Sequence, residues 1–243
     1  MTDPLFLAAF DDTVRPGQRV VVTGDEAHHA VSVKRILTGE SVILANGEGL
    51  GLRGTVIDAA KRELTVEVTE VFDDEPPALR WGVVQALAKG DRSDLAVQMA
   101  TELGTRRILA WQASRSIVRW QGDRGTKALE RCRATAREAA KQSRRFAVPV
   151  VEAASTAQVV EAIRQADLAL VLHEDAELHI AQVELPDDGI CLVIVGPEGG
   201  ISPEELDAFV GAGAQAVLIS DGVLRTSTAA AVALGQLDVL ARR

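Results

Sequence analysis

Two short stretches near the C-terminus combine residue types suited to ligand chemistry. The first, Val195-Gly196-Pro197-Glu198-Gly199-Gly200-Ile201-Ser202, follows an apolar run over 190–195. It reads as a buried strand, a tight glycine loop and a helix start, with Ser202 as N-cap, Pro203 at the first helical position and Glu205 closing a capping box. Glycines at Gly196, Gly199 and Gly200 let backbone approach a ligand, because no side chain obstructs it. The second stretch, Val223-Leu224-Arg225-Thr226-Ser227-Thr228-Ala229-Ala230-Ala231, leads from another strand into a small-residue helix. Arg225 stands just before that helix, where the dipole does not favour a cation. It is the candidate for stabilising negative charge at a reacting centre, against the plainer alternative of a surface arginine or a helix-terminal salt bridge. Glu198 is either a general base facing a pocket or a loop carboxylate that accepts nearby backbone N–H groups.

The elements that must position these residues follow from periodicity. From 79 onward strands and helices alternate: strands over 81–87, 107–112, 168–172, 191–195 and 216–219, helices over 92–103, 126–145, 156–166, 203–212 and 226–240. That alternation predicts an α/β domain with a parallel sheet covered on both faces, and two strand-end loops sharing a pocket at its carboxyl edge. Residues 1–72 instead carry short β-like runs over 19–23, 41–45, 53–58 and 64–71, separated by turn signals such as Asn46-Gly47. They predict a small β-rich domain or barrel, joined through the acidic, proline-containing 73–78 linker to a domain over 79–243. The glycine loop lacks the spacing and position of a dinucleotide fingerprint and the Gly-Lys-Ser/Thr of a phosphate-binding loop.

Composition narrows the class. Hydrophobic residues make up 47% of the 243, without an apolar run of membrane-spanning length. The first ten residues, running into Asp11-Asp12, are too short and too acidic for a signal peptide, so a cytoplasmic protein is expected. Cys132 and Cys191 read as small buried residues. Adjacent His28-His29 suggest metal, but no further His or Cys completes a ligand set, so no metal is expected and a structural or RNA-contacting role stands instead. The net charge is −9, yet residues 106–145 hold twelve Arg or Lys against three Asp or Glu. In the helix predicted there, Leu129, Cys132, Ala136, Ala139 and Ala140 form an apolar face, while Arg133, Arg137, Lys141 and Arg144 recur as a basic stripe. The stripe is either a solvated face or a contact for RNA phosphates.

Four separated motifs occur in an order that resembles the SPOUT-class RNA methyltransferases. Within that class the chain is similar to the ribosomal RNA small subunit methyltransferase E family. They are Trp81 to Leu87 with Lys89-Gly90-Asp91-Arg92, Gln98 to Gly104, Glu138-Ala139-Ala140 with Gln142-Ser143 and Arg145 before Pro149, and the paired Gly-Pro-Glu-Gly-Gly and Leu-Arg-Thr segments. The resemblance covers nearly the whole chain. It implies a SPOUT-type sheet with a C-terminal trefoil knot, a preceding PUA-like RNA-binding domain and a homodimer. It also implies S-adenosyl-L-methionine-dependent methylation of N3 of a uridine in 16S rRNA within the small ribosomal subunit. The cofactor would lie against Leu172, His173, Gly196, Pro197, Glu198, Gly199, Gly200, Ile219, Ser220, Val223 and Leu224, with Ile219, Val223 and Leu224 on the adenine face. His173 is open between packing and cofactor contact.

Arg225 then acts on the carbonyl oxygens of a uracil that has lost its N3 proton, and Arg35 is the N-terminal domain's base or phosphate reader. One departure stands out: where the family has Leu-Gly-Pro before Leu-Arg-Thr, this chain has Ile219-Ser220-Asp221-Gly222. Asp221 either caps the following turn or makes a polar contact to the cofactor. The alternatives in function are a methyltransferase of the same class for another RNA position, such as a tRNA ribose 2′-OH, and a non-catalytic RNA-binding or ribosome assembly factor that keeps the fold.

Overall fold

The computed structural model describes residues 3–73 and 77–242. Residues 74–76, within the expected linker, lie outside the described residues. The chain divides into two compact units, Met1–Pro76 with Ala140–Val148, and Pro77–Ala139 with Pro149–Arg243.

The first unit is built from β1 (Leu5–Leu7), β2 (Arg19–Thr23), a short helix α1 (Gly24–His28) running into a π-turn at His29–Val33, β3 (Ser41–Ala45), β4 (Leu50–Ala60) and β5 (Glu63–Asp73). Its sheet order is β1-β3-β4-β5-β2, antiparallel except for β1 beside β3. Alternation along the strands turns Val42, Leu44, Leu52, Val56, Leu64 and Val66 into one apolar core with Phe6 and Ala27. A second cluster joins Leu5, Leu7, Ile43 and Ala45 to Phe146 and Val148. The segment Ala140–Val148, expected in the second domain, therefore completes the first unit. Nothing in the local periodicity of 140–148 announces this, because its partners are remote in sequence.

The second unit comprises β6 (Leu79–Ala86), α2 (Arg92–Glu102), β7 (Arg107–Trp111), α3 (Gly122–Gln142), β8 (Val150–Ala154), α4 (Thr156–Arg164), β9 (Leu168–Leu172), a 3-10 turn at Ile180–Gln182, β10 (Gly189–Val195), α5 (Pro203–Gly211), β11 (Gln215–Val217) and α6 (Thr226–Ala241). The sheet is wholly parallel, in the order β11-β9-β10-β6-β7-β8. Strand β8 is absent from the sequence reading: it is a five-residue edge strand directly after Pro149, with Val150 exposed. Successive residues of β6 face opposite sides. Val84 and Ala86 enter the core formed with α4 and α5, where Trp111 meets Phe209 edge-on at 5.1 Å. Gln85 points the other way, to Thr226 at the start of α6, which packs on α2, β6 and β10. Cys132 and Cys191 are buried thiols, each pushed up to about 11 chiefly by burial.

Candidate active site

The carboxyl ends of β11, β9 and β10, three neighbours in the sheet, open into one cleft of about 950 Å³. Its floor and walls come from the segments that leave those strands: Leu172 to Asp175 after β9, Val195 to Ile201 after β10, and Val217 to Thr226 between β11 and α6. A crevice outside the strand ends is where open α/β sheets hold ligands.

The glycine loop takes its form from local chemistry. Gly200 N–H donates to Pro197 O at 2.9 Å, and Gly200 adopts φ +75°, a conformation that L side chains resist. A Cβ on Gly196 would lie 2.7 Å from Ile201 Cγ1, so the turn closes only without one. Beyond it the capping box forms: Glu205 N–H donates to Ser202 Oγ at 3.2 Å, and Ser202 N–H to the Glu205 carboxylate at 3.4 Å. Glu205, buried, also accepts Ser114 N–H at 2.8 Å, Ser114 Oγ–H at 2.9 Å and Thr156 Oγ1–H at 3.1 Å. Its charge is thus met by hydrogen bonds, as a buried carboxylate requires.

Three further ties hold the loop. Thr226 Oγ1–H donates to Gly196 O at 2.8 Å and accepts Gln85 Nε2–H at 2.9 Å. Arg115 donates to Gly199 O at 3.4 Å and Ile201 O at 3.3 Å. Glu198 accepts Lys89 N–H at 3.1 Å and pairs with Arg92 at 2.9 Å. Burial pushes the Glu198 carboxyl up, but its own backbone N–H, the Lys89 N–H and the Arg92 guanidinium outweigh that and hold it below its ordinary value. Arg92, Arg115, Thr226 and Gln85 did not figure among the sequence-derived site residues. Their roles rest on partners 30 to 141 residues away, which no local pattern carries.

Every sequence-derived cofactor residue lines the cleft: Leu172, His173, Gly196, Pro197, Glu198, Gly199, Gly200, Ile219, Ser220, Val223 and Leu224. His173 Nδ1 accepts Asp175 N–H at 3.2 Å, so that edge of the ring holds its own turn. Ile219 is buried, whereas Val223 is 79% exposed at the rim. In the divergent loop the turn is made by Ser220, whose Oγ accepts Gly222 N–H at 3.3 Å, and not by Asp221. Arg225 also lines the cleft. It occupies the N-cap of α6 with no side-chain cap bond, and among the described residues its guanidinium has no hydrogen-bond or ion-pair partner.

The basic stripe of α3 does not survive in the structure. Lys141 is 7% exposed and pairs with Glu26 at 2.9 Å, so it is not an RNA contact. Arg133 pairs with Glu130 and donates to Val151 O at 3.0 Å. Arg144 lies beyond the helix end, at φ 59°, and donates to Asp3 O at 3.0 Å. Arg137 remains exposed on the helix. In the first unit Arg35 is exposed, also at φ 59°, where it ends the π-turn. His28 Nδ1 lies 3.1 Å from Ser32 Oγ, and His29 meets Phe6 edge-on. Among the described residues no group of three or more His, Cys, Asp or Glu converges, and no helix is long and apolar enough to cross a membrane.

A parallel sheet with a glycine-loop cleft at its carboxyl edge defines an α/β ligand-binding domain, and comparison with known proteins gives its class. A family model described as an RNA methyltransferase domain matches residues 75–238, and an RNA methyltransferase PUA domain matches 22–69. The chain belongs to the ribosomal RNA small subunit methyltransferase E family. It is 45% identical over 232 residues to the Mycobacterium tuberculosis protein of that name, covering 93% of this chain and 88% of the relative. The Bacillus subtilis counterpart is 28% identical over 226 residues, with 89% and 88% covered. Among solved structures, a ribosomal RNA small subunit methyltransferase E from Neisseria gonorrhoeae bound to S-adenosyl methionine aligns with a TM-score of 0.87 at 25% identity, covering 98% of both chains.

Proposed function

We propose that this protein transfers the methyl group of S-adenosylmethionine to N3 of a uridine in 16S rRNA within the small ribosomal subunit, in the cytoplasm. Family membership supports RNA methyl transfer, and the cleft supports the cofactor. Its volume suits a nucleoside-sized ligand. Leu172, Ile219 and Leu224 offer an apolar face, while backbone groups of Gly196 to Gly200 offer donors and acceptors to an adenine edge. The bound cofactor would supply an electrophilic methyl on a sulfonium centre.

The observation that carries the reading is Arg225, a cation in the cleft without a partner among the described residues. Uridine N3 becomes nucleophilic only after losing its proton, and the charge then spreads onto the ring carbonyl oxygens. A guanidinium held beside the cofactor loop stabilises that charge as it develops. Holding the uridine beside the bound cofactor would supply a further part of the acceleration. Held by Leu172, Ile219, Leu224 and the Gly196 to Gly200 backbone, the cofactor would supply its methyl group to N3 and leave as the neutral thioether, with the N3 proton passing to solvent. Glu198, already committed to Lys89 N–H and Arg92 and held as an anion, serves this site as a clamp on the glycine loop rather than as the base.

The same reading includes a trefoil knot and a homodimer. Support for the knot is the chain path: β11 lies outside β9, yet the chain then returns to start α6 against β6 and β10. The function is tested with labelled S-adenosylmethionine and small subunits lacking the modification, followed by nucleoside identification by mass spectrometry. Labelled 3-methyluridine is expected; label in another nucleoside overturns the N3 assignment. Arg225→Ala is expected to abolish turnover with cofactor binding retained, and equal loss of both sinks the role given to Arg225.

A further inference from the structure

The excess of cations over 106–145 has a location other than the helix stripe. Arg107, Arg131, Arg133 and Lys141 each face a carboxylate. Arg119, Arg124 and Lys127 are exposed, and among the described residues none has a carboxylate partner. All three lie between the end of β7 and the second turn of α3, where Asp123 is the one acid from 112 to 129. The loop leaves β7 at the carboxyl edge of the sheet, the edge that holds the cleft, and its Arg115 lines that cleft.

This loop is pinned. The Gln112 side chain donates to Val118 O at 2.9 Å and accepts Trp120 N–H at 3.0 Å. Ser116 N–H donates to Ala113 O at 3.1 Å, and Arg119 donates to Ser114 O at 2.9 Å. Ser114 is itself anchored on buried Glu205. Between these ties Ile117 stands 70% exposed. A rigid loop that presents cations and one bare apolar side chain, on a chain of net charge −9, matches a polyanion with an apolar component. Single-stranded RNA has both, in its phosphates and its unstacked bases.

We infer that the β7–α3 loop guides the RNA strand into the cleft: phosphates flanking the target nucleotide lie along Arg119, Arg124 and Lys127, and a neighbouring base packs on Ile117. The inference rests on the RNA methyl-transfer reading. Its test is equilibrium binding to small ribosomal subunits lacking the modification, over a range of KCl, beside calorimetric titration with S-adenosylmethionine. The double variant Arg124→Ala with Lys127→Ala touches no hydrogen bond of the loop. It is expected to weaken subunit binding at least ~10-fold and to lower the slope of log affinity against log salt by about 1.4, at roughly 0.7 per phosphate contact on a single strand. Cofactor affinity is expected to stay at the wild-type value. Ile117→Ala is expected to weaken subunit binding with the slope unchanged. An unaltered slope in the double variant, or wild-type protein that does not bind subunits, overturns the inference. Salt-dependent binding that follows these variants without label transfer leaves it standing and overturns the methyl-transfer reading.

Discussion

Thr226 joins three elements through one hydroxyl, and replacing it with Val removes that hydroxyl at nearly constant volume. In the wild type the hydroxyl donates to Gly196 O on the cofactor loop and accepts Gln85 Nε2–H from β6. Thr226→Val leaves Gly196 O without its donor and Gln85 Nε2 with only the 3.2 Å contact to Ala86 O. Gln85 and Thr226 are buried, so water does not replace the lost partner of Gln85. A buried polar group so orphaned costs about 1–3 kcal/mol. Gly196 is half-buried and contributes less, so the expected loss is ~2 kcal/mol. For a chain of this size that is a fall in Tm of about 4–8 °C. Thr226→Ser keeps the hydroxyl and sacrifices one methyl, worth about 0.8 kcal/mol. Thermal unfolding and calorimetric titration with S-adenosylmethionine separate the two. Val should lower both Tm and cofactor affinity, the latter by roughly 10-fold if ~1.4 kcal/mol of loop order is lost. Ser should nearly restore both. Gln85→Leu combined with Thr226→Val should cost less than the sum of the single changes, because the stranded donor is then gone. Equal Tm and affinity in the Val and Ser variants would refute the idea that this hydroxyl aligns the loop.

Other consequences follow from particular contacts. Glu198 has a folded pKa below its ordinary value, so its clamp contributes stability that is fully present above about pH 4.5 and lost as pH falls through the folded pKa. Glu198→Gln should abolish that acid-side loss of stability, measured by thermal unfolding between pH 7 and pH 3.5. Lys141→Met strands Glu26 and should cost about 3–5 kcal/mol in urea unfolding, whereas Lys141→Met with Glu26→Met should be close to wild type. Arg144 occupies the left-handed position that ends α3: Arg145 N–H donates to Ala140 O at 2.9 Å and Arg144 N–H to Lys141 O at 3.2 Å. Glycine is preferred there, so Arg144→Gly should stabilise the protein by ~1 kcal/mol, less whatever the Asp3 carbonyl contact contributes.

The parts of this protein that local chemistry determines were readable from its residues. The run 190–195, the glycine turn and the Ser202–Glu205 box sit within sixteen residues, and each needs only its neighbours. The same holds for the alternation that builds the parallel sheet. What failed depends on distant partners. The periodicity at Arg133, Arg137, Lys141 and Arg144 is real, but a period does not say what a side chain meets. Lys141 meets Glu26, 115 positions away, and is removed from the surface. Likewise Arg92 and Arg115 look like ordinary loop and helix-start arginines until Glu198 and the carbonyls of Gly199 and Ile201 are placed against them. The β8 strand lacked enough residues to outweigh the proline before it, and as an edge strand it shows only partial burial.

At Ser220 and Asp221 the loop forms its turn without the Gly-Pro pair that the family resemblance leads one to expect. A Gly-Pro pair would shape the turn through backbone preference. Here neither Ser220 nor Asp221 has a positive φ, and Gly222 does not either, so a side chain at these positions carries no left-handed strain. The turn is closed instead by Ser220 Oγ accepting Gly222 N–H, and its base is fixed by Gln236 Nε2 donating to Ile219 O at 3.1 Å from within α6. Helix α6 thus fixes both loops of the cleft, the divergent one through Gln236 and the glycine loop through Thr226. The divergent residues alter charge: Asp221 places an exposed carboxylate in a cleft that also presents Arg225. An anion there would suit a ligand carrying positive charge, as the sulfonium of the proposed cofactor does.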